Sequence, residues 1–143
     1  MTMDDLKGLR ELHRERQRII ERMDQLRASV QRTSPNLDGM PHGGQQRDIM
    51  AEYAANFEDA IRTLGTIEQR LTERIDMVEM GIREANLPPR ETAVIWSRFV
   101  EGKSIGQIAR EMHYNRQHVY KIYKRALCLL FPKDATKCDI KTC

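Results

Sequence analysis

Residues 87–130 read LPPRETAVIWSRFVEGKSIGQIAREMHYNRQHVYKIYKRALCLL, and the punctuation of this stretch decides the fold. Neither Pro88 nor Pro89 supplies a backbone N–H, and Pro89 drives residue 88 out of the α region, so a preceding helix ends here. Proline in a first turn is favourable, so the same pair opens the next helix. That helix places Val94, Ile95 and Phe99 on one face and stops at Glu101-Gly102, where glycine can take the left-handed closing conformation. A second helix opens at Ser104, whose hydroxyl can cap the amide three residues on while Gln107 reaches back, with Ile105, Ile108, Ala109 and Met112 facing inward. After a turn at His113-Tyr114-Asn115, Asn115 caps a third helix from Arg116 to about Leu130. The small Ala109 permits two helices to cross closely about that tight turn. Three short helices in the order of a helix-turn-helix domain are therefore expected.

At 100° per residue, Val119, Ile122, Tyr123, Ala126, Leu129 and Leu130 share one arc of the third helix, and Gln117, Tyr120, Lys121, Lys124 and Cys128 share the opposite one, with Arg116 flanking. The outer arc offers what a DNA major groove rewards: arginine and lysine for guanine edges or phosphates, glutamine for adenine, a tyrosine ring for thymine methyls or a sugar. Arg116, Gln117, Tyr120 and Lys121 are the candidate base readers, and Arg98, Lys103, Arg110, Lys124 and Arg125 the candidate phosphate contacts. Charge supports double-stranded DNA as the partner. Residues 1–87 hold 13 Lys/Arg against 16 Asp/Glu, whereas residues 88–130 hold 8 against 3, a net +5 in a chain whose total is +3. A small helical bundle with a merely solvated basic face is the plainer alternative, but it leaves the coincidence of capping box, small residue, turn and basic arc without a reason.

Upstream, Leu9, Leu12, Ile19, Met23, Leu26 and Val30 fill heptad a and d positions broken only where Arg16 takes an a site, a coiled-coil seam. The other faces mix Glu11, Glu15, Glu21 and Asp24 with Arg10, Arg14, Arg18 and Arg22, a solvated surface. Residues 33–46, with two prolines and three glycines, form a flexible connector. A second long helix to about Asn86 then carries Met50, Tyr53, Phe57, Ala60, Leu64, Ile67, Leu71, Ile75, Val78, Ile82 and Ala85. Two successive steps of four at Ile67, Leu71 and Ile75 make a stutter, where the seam should straighten or change partner. The helices, roughly 45 and 58 Å long, can fold back antiparallel. One pair leaves apolar stripe uncovered, so two copies are expected to associate through it. Trp96, opposite the Ile95 and Phe99 face, is expected to seal the junction to the long helices.

The fold class is thus all-α: a long antiparallel helical hairpin for oligomerisation over residues 1–87, a helix-turn-helix domain over 88–130 and a flexible tail over 131–143. No apolar run approaches the roughly 20 residues of a membrane crossing. The start, Met1-Thr2-Met3-Asp4-Asp5, has no signal-peptide character, so a cytoplasmic address is expected. Cys128, Cys138 and Cys143 cluster in the last sixteen residues and read as reduced thiols. A metal site on Cys138 and Cys143 with Cys128, His113 or His118 lacks the usual zinc spacing, so no metal or cofactor is expected. Neither a glycine-rich phosphate loop nor a nucleophile with a base is present, which points away from an enzyme.

The run from Leu87 to Leu130 resembles region 4 of the bacterial sigma-70 family, whose pattern is a helix, a glycine, Ser-x-x-Glu-Ile-Ala, a turn and a recognition helix ending Ala-Leu. Gln107 stands here in place of the glutamate and His113 where glycine is commonest, and Gly106 lies inside the second helix. A region 4-like domain behind a long helical segment also resembles the small phage regulators of late transcription, the RinA, ArpU and LtrC type. The resemblance implies promoter reading by Arg116, Gln117, Tyr120 and Lys121, in a DNA-binding transcriptional regulator acting with RNA polymerase. A small terminase-like DNA-packaging subunit is the rival with the same motif, separable by ring stoichiometry. A coiled-coil adaptor whose basic domain binds an acidic protein is the rival of another class, separable by indifference to DNA.

Overall fold

The computed structural model describes residues 1–32 and 49–133. The connector read at 33–46, Cys138, Cys143 and all but the first three residues of the tail lie outside the described residues. The elements are α1 (Met3–Arg32), α2 (Ile49–Glu84), α3 (Pro89–Ile95) continuing into a π-turn (Trp96–Val100), α4 (Ile105–Glu111) and α5 (Arg116–Leu130). No strand occurs among the described residues, and the all-α expectation holds.

Each long helix has a chemical reason for its ends. Thr2 and Asp5 form a reciprocal cap on α1: Thr2 N donates to Asp5 Oδ2 at 2.7 Å and Asp5 N to Thr2 Oγ1 at 3.3 Å. Those bonds, the backbone one foremost, hold the Asp5 carboxyl below its ordinary range. α2 ends two residues before Asn86, which takes φ +47°, a left-handed position that asparagine tolerates. Pro88 and Pro89 then start α3, with Pro89 in its first turn, and Thr92 Oγ1 donates back to the Leu87 carbonyl at 3.2 Å.

The chain divides into two compact units, Arg14–Arg70 on the one hand and Met1–His13 with Leu71–Cys143 on the other. Within Arg14–Arg70 the two helices run antiparallel, with Arg16 ion-paired to Glu68 and the Arg27 guanidinium 5.2 Å from the Phe57 ring centre. Among its described residues only Ala60 and Ile67 are buried apolar side chains. Ile19, Met23, Leu26, Val30 and Leu64 remain half-exposed, and Ile49, Met50 and Ile61 are at least half exposed. The seam therefore sets an antiparallel pair without closing a core over it.

The other unit is well packed. Leu6, Leu9, Leu71, Val78 and Ile82 from the long helices join Val94, Ile95, Phe99, Ile108, Ala109, Val119, Ile122 and Ala126, none more than 5% exposed. His13 Nε2 donates to the Phe99 carbonyl at 3.0 Å, and its ring lies against Gly102. Trp96 sits half-buried in a groove with Ile82, Asn86, Leu87 and Thr92, the junction expected of it. The first turns of α1 and the last of α2, from Leu71 onward, bury their apolar residues in the unit that holds the short helices. Leu129, expected inside, is 50% exposed. The last turn of α5 runs past Val119, Ile122 and Ala126, where burial along this helix is complete.

Candidate nucleic-acid interface

The interface is built on α4 and α5, and local chemistry fixes both. Ser104 Oγ accepts from Gln107 N at 3.2 Å while Gln107 Oε1 accepts from Ser104 N at 2.8 Å, a complete capping box. The glutamine therefore does the geometric work of the expected glutamate. At the other end His113 takes φ +55°, His113 N donates to the Arg110 carbonyl at 3.3 Å and Tyr114 N to the Ala109 carbonyl at 2.9 Å. These two bonds are the paired closing bonds of a helix ended by a left-handed residue, here a histidine where glycine is usual. Asn115 Oδ1 then accepts from His118 N at 2.7 Å and starts α5.

Upstream of the motif, α3 widens before it closes. Glu101 N reaches the Trp96 carbonyl at 3.2 Å, one residue further than an α-helical bond, and Lys103 N closes on the Ser97 carbonyl at 3.0 Å. Gly102 sits between them at φ +70°, with the His13 ring 2.9 Å from where a Cβ would stand.

The four candidate base readers come together. Arg116, Gln117, Tyr120 and Lys121 line an open concavity of about 490 Å³ with Lys124 and Ile105. All five α5 side chains are exposed, Tyr120 by 47%, and Arg116, Gln117 and Lys121 have no ion pair or side-chain hydrogen bond among the described residues. Tyr120 is braced by Lys124 Nζ, 5.1 Å from its ring centre, and by the ring of Tyr123 at 6.2 Å. Tyr123 in turn packs 6.1 Å from Phe99, so an aromatic row runs from the core to the concavity. Burial pushes the Tyr123 hydroxyl above its ordinary value, Arg98 and Arg10 pulling it the other way. It stays a neutral hydrogen-bonding group at physiological pH.

The candidate phosphate contacts divide. Arg110 and Lys124 are exposed cations without an ion pair among the described residues. Lys103 is bridged to Glu101 at 2.8 Å and to Glu111 at 2.7 Å. Arg125 is ion-paired with Glu91, itself 2% exposed. Arg98 is half-buried, its Nη1 donating to the Lys103 carbonyl at 2.8 Å. Sequence reasoning missed Ile105 as a lining residue. Its side chain packs on the core cluster as expected, yet as the first residue of α4 it lies at the open end of the crossing, where one flank faces out. Among the described residues no three histidines, cysteines or acids gather as metal ligands, and no helix is long and apolar enough to cross a membrane.

Comparison with known families matches residues 85–130, about a third of the chain, to the family described as Sigma-70, region 4. The match covers α3, α4 and α5 and takes in the whole segment from Leu87 to Leu130 whose motif resembles that family. This segment is a region 4-like helix-turn-helix, a DNA-binding module. No curated protein and no solved structure matches the chain.

Proposed function

We propose that this chain is a sequence-specific DNA-binding transcriptional regulator of phage or prophage type, dimeric through its long helices and acting with RNA polymerase. The observation that carries the reading is the gathering of Arg116, Gln117, Tyr120 and Lys121 on one exposed face of a helix capped at its first turn. A major groove about 12 Å wide admits such a helix, and its N-terminal half reaches the base edges. Arg116 and Lys121 suit guanine acceptors, and Gln117 the paired donor and acceptor of adenine. Anchoring falls first to Arg110 and Lys124, since Arg98, Lys103 and Arg125 already hold groups of the protein.

Dimerisation has its support in the Arg14–Arg70 unit, where a pair of helices with two buried apolar side chains leaves a stripe that a second copy would cover. The polymerase and phage parts of the reading rest on the region 4-like segment standing behind long helices. Selection of the full-length protein on a randomised duplex pool tests the whole. It should enrich one motif, and log affinity should fall against log salt with a slope of about −4 to −5 per domain. No enrichment together with a flat salt titration rejects DNA as the ligand.

A further inference from the structure

The concavity before α5 has an apolar floor that hydrogen bonding to bases leaves unused. Ile105 packs on the cluster of Val94, Ile108, Ala109, Val119 and Ile122, which holds its side chain in place, and it also lines the opening beside Tyr120. The Tyr120 ring is held from two sides, by Lys124 and by Tyr123. An aliphatic side chain anchored on the core and a braced ring, rimmed by Gln117 and Lys121, form a surface for one small apolar group set among hydrogen-bonding partners. In the major groove the C5-methyl of thymine is the one such group that an unmodified base edge displays.

We propose that Ile105 and Tyr120 form a thymine-methyl site, so that the domain reads at least one T·A pair by its methyl group. The proposal rests on the DNA-reading function above, and it makes Ile105, on the helix before the recognition helix, a specificity-determining residue.

Deoxyuridine tests this directly, because it keeps every hydrogen-bonding group of thymidine and removes the methyl alone. In the duplex recovered by selection, each thymidine is replaced in turn and the full-length protein titrated. At one or two positions per half-site the replacement should weaken binding about fourfold, the worth of one buried methyl-sized group, with the salt slope unchanged. Ile105→Ala and Tyr120→Ala should each bring that thymidine-to-deoxyuridine ratio towards one. Tyr120 is exposed, so its variant gives the answer even where Ile105→Ala loosens the fold. A ratio of one at every thymidine, a ratio that persists in both variants, or a selected motif without thymine overturns the methyl site while leaving DNA reading intact. A protein that binds no DNA overturns both.

Discussion

Glu91 on α3, 2% exposed, is ion-paired with Arg125 on α5, so a cation that the sequence offered to DNA holds two helices of the domain together. A buried carboxylate deprived of its partner is an uncompensated charge in a poorly polarisable place. Arg125→Ala should therefore destabilise the protein by on the order of 2 kcal/mol, below a fully buried pair because the arginine itself is half in solvent. Denaturant unfolding beside a DNA titration checks this. Unchanged stability with a several-fold loss of affinity at every sequence would make Arg125 a phosphate anchor instead.

Lys103 gives a prediction in pH. Its ammonium, hydrogen-bonded to Glu101, holds that carboxyl below its ordinary value of 4.5, and the same contacts hold Lys103 above its own. A carboxylate depressed in the folded state adds stability above its ordinary value and loses it as pH falls through the lowered one. Lys103→Met should accordingly lower the unfolding midpoint slightly near pH 7, where that contribution is present, and flatten its dependence on pH below about 5. It should also leave the salt slope of DNA binding in place, whereas Lys124→Met lowers the slope by about 1. A slope lowered equally by both substitutions would put Lys103 on the phosphate backbone.

The elements governed by neighbours in sequence were legible without the structure. Ser104 with Gln107, Asn115 and Gly102 mark helix ends through bonds spanning a few residues, and each stands where it was read. The shared face of Arg116, Gln117, Tyr120 and Lys121 follows from helical spacing alone. What needed tertiary structure stayed hidden: the partners of Arg98, Lys103 and Arg125 come from other elements or across a turn, and a cation in the sequence carries no sign of being engaged. Leu6, outside the heptad register, is fully buried, because the first turns of α1 belong to the same compact unit as the short helices. The π-turn at Trp96–Val100 likewise has no local sequence mark.

Backbone conformation yields opposite signs at neighbouring positions. Gly102 combines φ +70° with the His13 ring where a Cβ would stand, so Gly102→Ala should destabilise by about 1–3 kcal/mol. A Cβ at Gly106 would meet only Ser104 Oγ at 3.9 Å, so Gly106→Ala should stabilise by about 0.5–1 kcal/mol through helix propensity. His113→Gly, relieving a left-handed histidine, should stabilise by up to about 1 kcal/mol. Thermal melts of the three variants decide it, and a stabilising Gly102→Ala would contradict the packing described for His13.

Association through the long helices is tested where the structure leaves apolar positions uncovered. Leu26 is half-exposed in a unit whose described residues include two buried apolar side chains, and Leu12 lies on the same heptad seam. Replacing both by aspartate puts charge into a dimer seam and should give monomers at micromolar concentration in light scattering. Helicity of the short helices should persist. A wild-type monomer at that concentration rejects the dimer.

Reading and anchoring separate within the motif. Gln117 and Lys121 line the concavity in the N-terminal half of α5, which the proposed function assigns to base edges, whereas Arg110 lies in the last turn of α4, before the turn, and is assigned to the sugar-phosphate backbone. Gln117→Ala or Lys121→Ala should relax discrimination at one or two base pairs, weakening the preferred duplex by about 1–3 kcal/mol and other sequences less. Arg110→Ala should weaken all sequences alike and lower the salt slope by about 1, since a phosphate contact carries no sequence information. Repeating the selection with each variant measures both effects in one experiment. Because the two residues lie one helical turn apart on one face, the double variant should lose preference at adjacent pairs. A motif that survives replacement of both Gln117 and Lys121 would remove α5 as the reader.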